Sequence, residues 1–233
     1  MDVGCSGSLD TYSIIEEADY SFAELSCDIF SEEKDEDIPD LCDRIRDFKT
    51  RPLVWSGIEY EDIDLSEYDE EGGYVKNYLL ELFARIDEVG GEYVVIRYNP
   101  DMNRNPEEYN EILNGISTLA GSYGLEIILL FSGKNEAELN KNFNYYKISE
   151  NNHPFLRYGL DLENIEDYQV FFDNLEDMNN LKYFRIPAAD TSLHTFRENL
   201  SLMADILADT DTYLCVWSHL DEITHKVMSN KYL

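Results

Sequence analysis

Eight times along the chain a short apolar run passes into acidic or turn-forming residues. Each time a segment with apolar residues at helical spacing follows. The clearest instance is Pro154–Ile165, PFLRYGLDLENI, a buried-strand pattern that runs straight into Asp161 and Glu163. The other runs are Val3–Cys5, Phe22–Cys27, Pro52–Trp55, Tyr93–Tyr98, Glu126–Phe131, Tyr183–Ile186 and Tyr213–Trp217. Past Glu126, the fifth of these is uninterrupted in its apolarity, as parallel strands covered on both faces are. Sustained strand–helix alternation demands a parallel sheet with right-handed crossovers. Eight units in 233 residues, with no change of composition and no linker, predict one domain over 1–233, a closed (β/α)8 TIM barrel. The competing architecture is an open doubly wound sheet, which carries a glycine-rich phosphate loop after its first strand. Here Gly4-Cys-Ser-Gly7 reads more simply as a tight strand-to-helix turn.

Between the strands, helices are read from spacing. Asp10 is an expected N-cap for Tyr12, Ile15 and Ala18. Ile38, Leu41, Ile45 and Phe48 share one face behind Pro39, a residue suited to a first helical turn. Val75 to Val89, Tyr109 to Tyr123 behind Pro106, Tyr168 to Met178 and Phe196 to Leu207 keep the same period. Asn135–Ile148 is an asparagine-rich helix, and Asp221–Tyr232 a final one. The segment 56–73 reads as irregular and holds eight acidic residues and no basic one, so it is a candidate lid or binding loop.

Charge narrows the function. The chain carries 49 acidic and 18 basic side chains, a formal net charge of −31. Nucleic-acid binding needs a cationic footprint, and so does an anionic membrane surface, so neither partner is expected. No run approaches the ~18–20 apolar residues of a membrane helix. The N-terminus, Met-Asp-Val-Gly-Cys, has neither a basic nor an apolar leader region, which predicts a cytoplasmic protein. Cys5, Cys27, Cys42 and Cys215 form no CxxC or zinc-knuckle spacing and read as small buried residues.

In a barrel of this kind the C-terminal ends of the strands gather at one mouth, where chemistry is built. Arg97 and Arg185 interrupt otherwise apolar strands. A guanidinium there must be paired or reach the mouth, because burying it alone is costly. It is either an anion clamp or part of an internal salt-bridge layer with Glu24, Asp161 or Glu163. Those three carboxylates are either general acid and base or partners that neutralise the arginines. Trp55 and Trp217 end their strands and offer either a platform for a sugar ring or core filling. His219 follows the eighth strand and His194 the seventh, so both are candidates for the mouth. His153 precedes its strand and belongs to the opposite face, and His225 to the last helix.

The opening Val3-Gly-Cys-Ser6, followed by a helix and then Phe22-Ala-Glu-Leu-Ser26, resembles the xylose-isomerase-like barrel superfamily. That group includes sugar-phosphate isomerases and epimerases and the endonuclease IV type of abasic-site nuclease. The likeness continues at Val94–Arg97, Tyr123–Ile127 and Tyr158–Asp161. The resemblance implies a divalent metal held by a Glu ending strand five, an Asp ending strand six, a His ending strand seven and a Glu ending strand eight. By position this chain offers Leu130-Phe131, Asp161, Ile186-Pro187 and Val216-Trp217, with Arg97 where a His often ends strand four. Only the strand-six Asp is matched, so the family's metal site is either absent or rebuilt from loop acids, and no metal or other cofactor is expected. The expected function is a sugar isomerase/epimerase-like barrel that binds a small polyhydroxy or anionic metabolite between Arg97, Arg185, Glu24 and Asp161, with proton transfer by carboxylates. The other reading is a non-catalytic barrel that serves as a binding or interaction protein.

Overall fold

The computed structural model describes residues 1–18, 20–32, 37–58, 64–100, 105–147, 153–175, 181–187, 193–208 and 210–217. The expected final helix, His219, His225 and the acids at 33, 35, 36, 59, 61 and 62 lie outside the described residues.

Eight strands form: β1 (Asp2–Gly7), β2 (Phe22–Ser26), β3 (Pro52–Ile58), β4 (Tyr93–Arg97), β5 (Glu126–Phe131), β6 (Leu156–Asp161), β7 (Leu181–Pro187) and β8 (Tyr213–Trp217). They pair in sequence order, all parallel, and β8 returns to β1, so the sheet is a closed barrel. At the seam Gly4 stands beside Cys215 on one side and Phe22 on the other. The seam is finished by the Met1 ammonium, which donates to Thr210 O at 3.1 Å. The connections carry α1 (Tyr12–Glu17), α2 (Ile29–Glu32), α3 (Ile38–Arg46), α4 (Tyr74–Glu88), α5 (Pro106–Gly121), α6 (Glu136–Lys147), α7 (Tyr168–Asp173) and α8 (Leu193–Leu207). The TIM barrel expected from the alternation is therefore present.

Two details depart from the spacing. The first helical turn begins at Ser8, not Asp10, and Ser8 N–H donates to Thr11 Oγ1 at 2.9 Å. Strand β3 also runs three residues past Trp55. Gly57 adopts φ 101°, a left-handed value that suits glycine, and the β3–β4 register shifts between Trp55 and Ile58. The Ser56-Gly57 pair, the start of the segment that reads as irregular, is thus a bulge inside the strand, and Ser56 is carried to the barrel mouth.

Alternation along each strand divides the core into two layers. Phe22, Val54, Tyr93, Val95, Ile128, Leu130, Tyr183 and Cys215 fill the barrel interior. Leu25, Trp55, Val94, Ile96, Leu129, Phe131, Phe184 and Val216 belong to the layer between sheet and helices. The interior is tight enough to require glycine. A Cβ on Gly4 would lie 2.5 Å from the Phe22 ring, and one on Gly159 3.0 Å from Ile128 Cγ2. At the N-terminal end, Tyr213 meets Phe22 edge-on with ring centroids 5.3 Å apart and Tyr93 at 5.0 Å. Arg157 pairs with Glu126 at 2.6 Å on the same end. Rings and an ion pair thus plug this end, and the functional groups collect at the other.

Candidate active site at the barrel mouth

Side-chain parity decides who enters the mouth. Glu24 is two residues beyond Phe22, Arg97 two beyond Val95, Asp161 two beyond Gly159, Arg185 two beyond Tyr183 and Trp217 two beyond Cys215. Each therefore shares the inward face and sits one layer nearer the C-terminal ends.

The centre is a buried ion pair. Arg185 Nη2 donates to Glu24 Oε1, and the two residues are 2% and 1% exposed. The Tyr183 hydroxyl donates to Glu24 Oε2, and Arg185 Nε donates to the same tyrosine oxygen at 3.2 Å. The Ser56 hydroxyl and the Cys215 thiol also hydrogen-bond the carboxylate. Burial alone would raise the Glu24 carboxyl, but the Arg185 charge and these donors outweigh it and hold it below its ordinary value. Burial raises the Tyr183 phenol and the Cys215 thiol, and the Glu24 charge adds to both. Arg185 is stacked as well: its Cζ lies 5.8 Å from the Tyr183 ring centroid and 5.4 Å from that of Trp217. Arg185 is thus paired inside the barrel, with Glu24 as its partner.

Asp161 stands beside this pair, in register with Arg185 on the neighbouring strand. It is 5% exposed. Burial raises its carboxyl above the ordinary value, although Arg185, Arg97 and the Glu163 backbone N–H, which donates to Oδ1 at 3.2 Å, all pull the other way. Glu163 itself is exposed on the rim, two residues past the strand end. Arg97 is half-buried at the end of β4. The mouth so joins a buried carboxyl to a permanent cation and an aromatic face.

Trp55 is elsewhere. Its parity turns it out of the barrel, where it is fully buried, stacks on Phe30 at 5.1 Å and donates Nε1–H to Pro52 O at 3.1 Å. Core filling is its role, and the sugar-platform alternative fails for it because a residue one step past Val54 faces the helices. His194 opens α8. His153 hydrogen-bonds Thr118 Oγ1 through Nε2 at 3.1 Å, before β6 and away from the mouth. Sequence reasoning missed Ser56 and Tyr183. Nothing local marks either one, since each acquires its role from a partner on another strand.

The resemblance implies a divalent metal, and the described residues do not fit one. The inward positions near the ends of β5 to β8 are Leu130, Asp161, Arg185 and Trp217, a set with one carboxylate and one guanidinium. Hard divalent ions need several converging oxygen or nitrogen ligands. Among the described residues no three His, Cys, Asp or Glu side chains are grouped to hold a metal ion.

No family model and no curated protein matches the sequence. Solved structures do match in fold. The probable 3-DHS dehydratase AsbF of Bacillus anthracis superposes with a TM-score of 0.65 at 15% identity, covering 98% of this chain and 97% of that one. D-psicose 3-epimerase, crystallised in the presence of D-fructose, gives a TM-score of 0.60 at 12% identity over 99% of this chain and 96% of its own. A xylose isomerase domain containing protein of Salmonella typhimurium LT2 gives 0.63 at 12% identity, with 99% and 95% covered. The chain therefore has the fold of the xylose-isomerase-like TIM barrels.

Proposed function

We propose that this barrel binds a small polyhydroxy or anionic metabolite at its C-terminal mouth and moves a proton on it, as a sugar isomerase or epimerase does. The observation that carries this is Asp161, a buried carboxyl held above its ordinary value, in register with the buried Arg185. Groups with displaced protonation next to a fixed charge are what acid–base chemistry requires. As a carboxylate, Asp161 takes a proton from the carbon next to a carbonyl and returns it. Glu24 is a positioning residue, because both of its oxygens already serve Arg185 and Tyr183. Arg97, Glu163 and the Trp217 face line the rim. A structural neighbour is a D-psicose 3-epimerase, which agrees with this class. The same reading takes a cytoplasmic protein without a nucleic-acid partner, in keeping with a net charge of −31. Among the described residues no helix is long and apolar enough to cross a membrane.

The test is melting temperature against a panel of ketohexoses and sugar phosphates, followed by deuterium wash-in from solvent with each compound that binds. Ligand-linked stabilisation and exchange lost in Asp161→Asn are expected. The second reading is a non-catalytic binding barrel, favoured by the closed Glu24–Arg185 pair at the centre. A panel that leaves melting unchanged, together with no exchange, selects it.

A further inference from the structure

We propose that the Arg185 guanidinium takes the place of a divalent cation in this mouth: it holds the substrate oxygen on which negative charge develops, and it excludes metal ions from the same position. This rests on the mouth being a carbonyl-binding site, as argued above.

The donor set leads to this conclusion. The Glu24 oxygens accept from Arg185 and Tyr183, and Ser56 and Cys215 also hydrogen-bond them, so this carboxylate is neutralised and satisfied without a metal. Among the described inward residues of β5 to β8, Asp161 is then the one anionic ligand, and its register partner is Arg185. A guanidinium keeps its charge at every accessible pH and repels a second cation nearby. It also resembles an oxygen-binding ion in what it offers. Of its five N–H groups, Glu24 and Tyr183 take two among the described residues. The Tyr183 and Trp217 rings fix the plane of the rest.

The substrate class follows: a carbonyl compound with a hydroxyl on the adjacent carbon. Asp161 removes the proton from that carbon. The C–H electron pair becomes the C=C bond, and the carbonyl π pair moves onto oxygen, where the Arg185 N–H groups hold it. Return of the proton to the same carbon reverses the flow; return to the former carbonyl carbon also passes the hydroxyl proton to the former carbonyl oxygen, so that the hydroxyl carbon becomes the carbonyl. No oxidant or reductant enters.

Two measurements on the full chain test this. First, manganese(II) alone is titrated into EDTA-treated protein and followed by water proton relaxation, with Asp161→Asn as control. Exclusion predicts the same weak surface binding for both. A stoichiometric site lost in Asp161→Asn overturns it. Second, the ketohexose panel is run in EDTA and again in manganese(II). Stabilisation that persists in EDTA, with affinity about tenfold weaker in Arg185→Lys, supports the oxygen-holding role, because lysine keeps the charge but loses the fork. Arg185→Lys must melt near the wild type for this comparison, and an unchanged affinity in it overturns the role. Stabilisation seen with manganese(II) alone overturns the proposal and leaves the mouth reading intact. No stabilisation under either condition overturns the functional reading and the oxygen-holding role with it, while exclusion is still decided by relaxation.

Discussion

Replacing Glu24 by Gln strands a guanidinium inside the barrel. Arg185 has a side chain 3% exposed and cannot shed its proton to escape the cost. The Gln amide oxygen still accepts one of the two donors that the carboxylate served, but its NH2 group faces the other. Breaking a buried pair from one side costs about 3–5 kcal/mol. For a chain of 233 residues the urea dependence lies near the top of the usual range, about 3 kcal/mol per molar, so the unfolding midpoint falls by about 1–2 M. The double variant Glu24→Gln/Arg185→Met removes the stranded charge and keeps an acceptor for Tyr183. It unfolds within about 1 kcal/mol of the wild type, since an apolar side chain of similar size often replaces a buried ion without loss. Urea unfolding of the wild type, both single variants and the double variant completes the cycle. Single-variant costs below about 1 kcal/mol, the size seen for solvated pairs, would refute the account of a desolvated centre. A double variant as costly as the two singles together would refute it as well.

Asp161 gives a pH signature of known sign. Its folded carboxyl titrates above the unfolded one, so the folded chain binds more protons across that window and loses stability as pH rises through it. Asp161→Asn mimics the protonated form, so it melts higher than the wild type above about pH 4 and converges with it below; a lower melting temperature at neutral pH would contradict the buried placement. Glu24 runs the other way: its lowered value means that wild-type stability is present above the ordinary glutamate range and lost as pH falls, a loss that Glu24→Gln does not show. Gly4→Ala drives a Cβ to 2.5 Å from the Phe22 ring and destabilises by about 1–3 kcal/mol, with Phe22→Leu in the same chain recovering part of it by thermal unfolding. Cys5, Cys27, Cys42 and Cys215 are all buried, so they react with a thiol reagent at the rate of unfolding, and fast labelling of any one in native buffer would contradict the packing.

The barrel was legible because apolar runs such as Ile127–Phe131 and Val94–Ile96 mark parallel strands covered on both faces, and eight such units without a glycine-rich phosphate loop favour the closed sheet over the open one. The same property hid the site. A strand covered on both sides has no polar alternation, so Tyr183-Phe-Arg-Ile186 does not say which of its residues point inward. On energetic grounds Arg185 must have a partner or a place at the mouth, and Glu24, Asp161 and Glu163 are equal candidates for the partner until the register is known. Trp55 and Trp217 look alike in sequence, each ending an apolar run. One step of parity sends the first into the helical layer and the second over the Arg185 guanidinium. Ser56 stayed hidden because the bulge at Gly57 ends the apolar run and makes the last strand residues look like the start of the loop.

The seam between β1 and β8 carries a cost during synthesis. Met1 and Thr210 are 209 positions apart, so at ordinary ribosome speeds about 10–40 s elapse between the appearance of the two partners. Through that interval the outer edge of β1 offers bare backbone donors and acceptors, and half of the interior wall, Phe22 included, faces water. Whatever shelters the nascent chain must persist until the last strand emerges, and a stalled ribosome leaves behind a curved, sticky sheet instead of a smaller barrel.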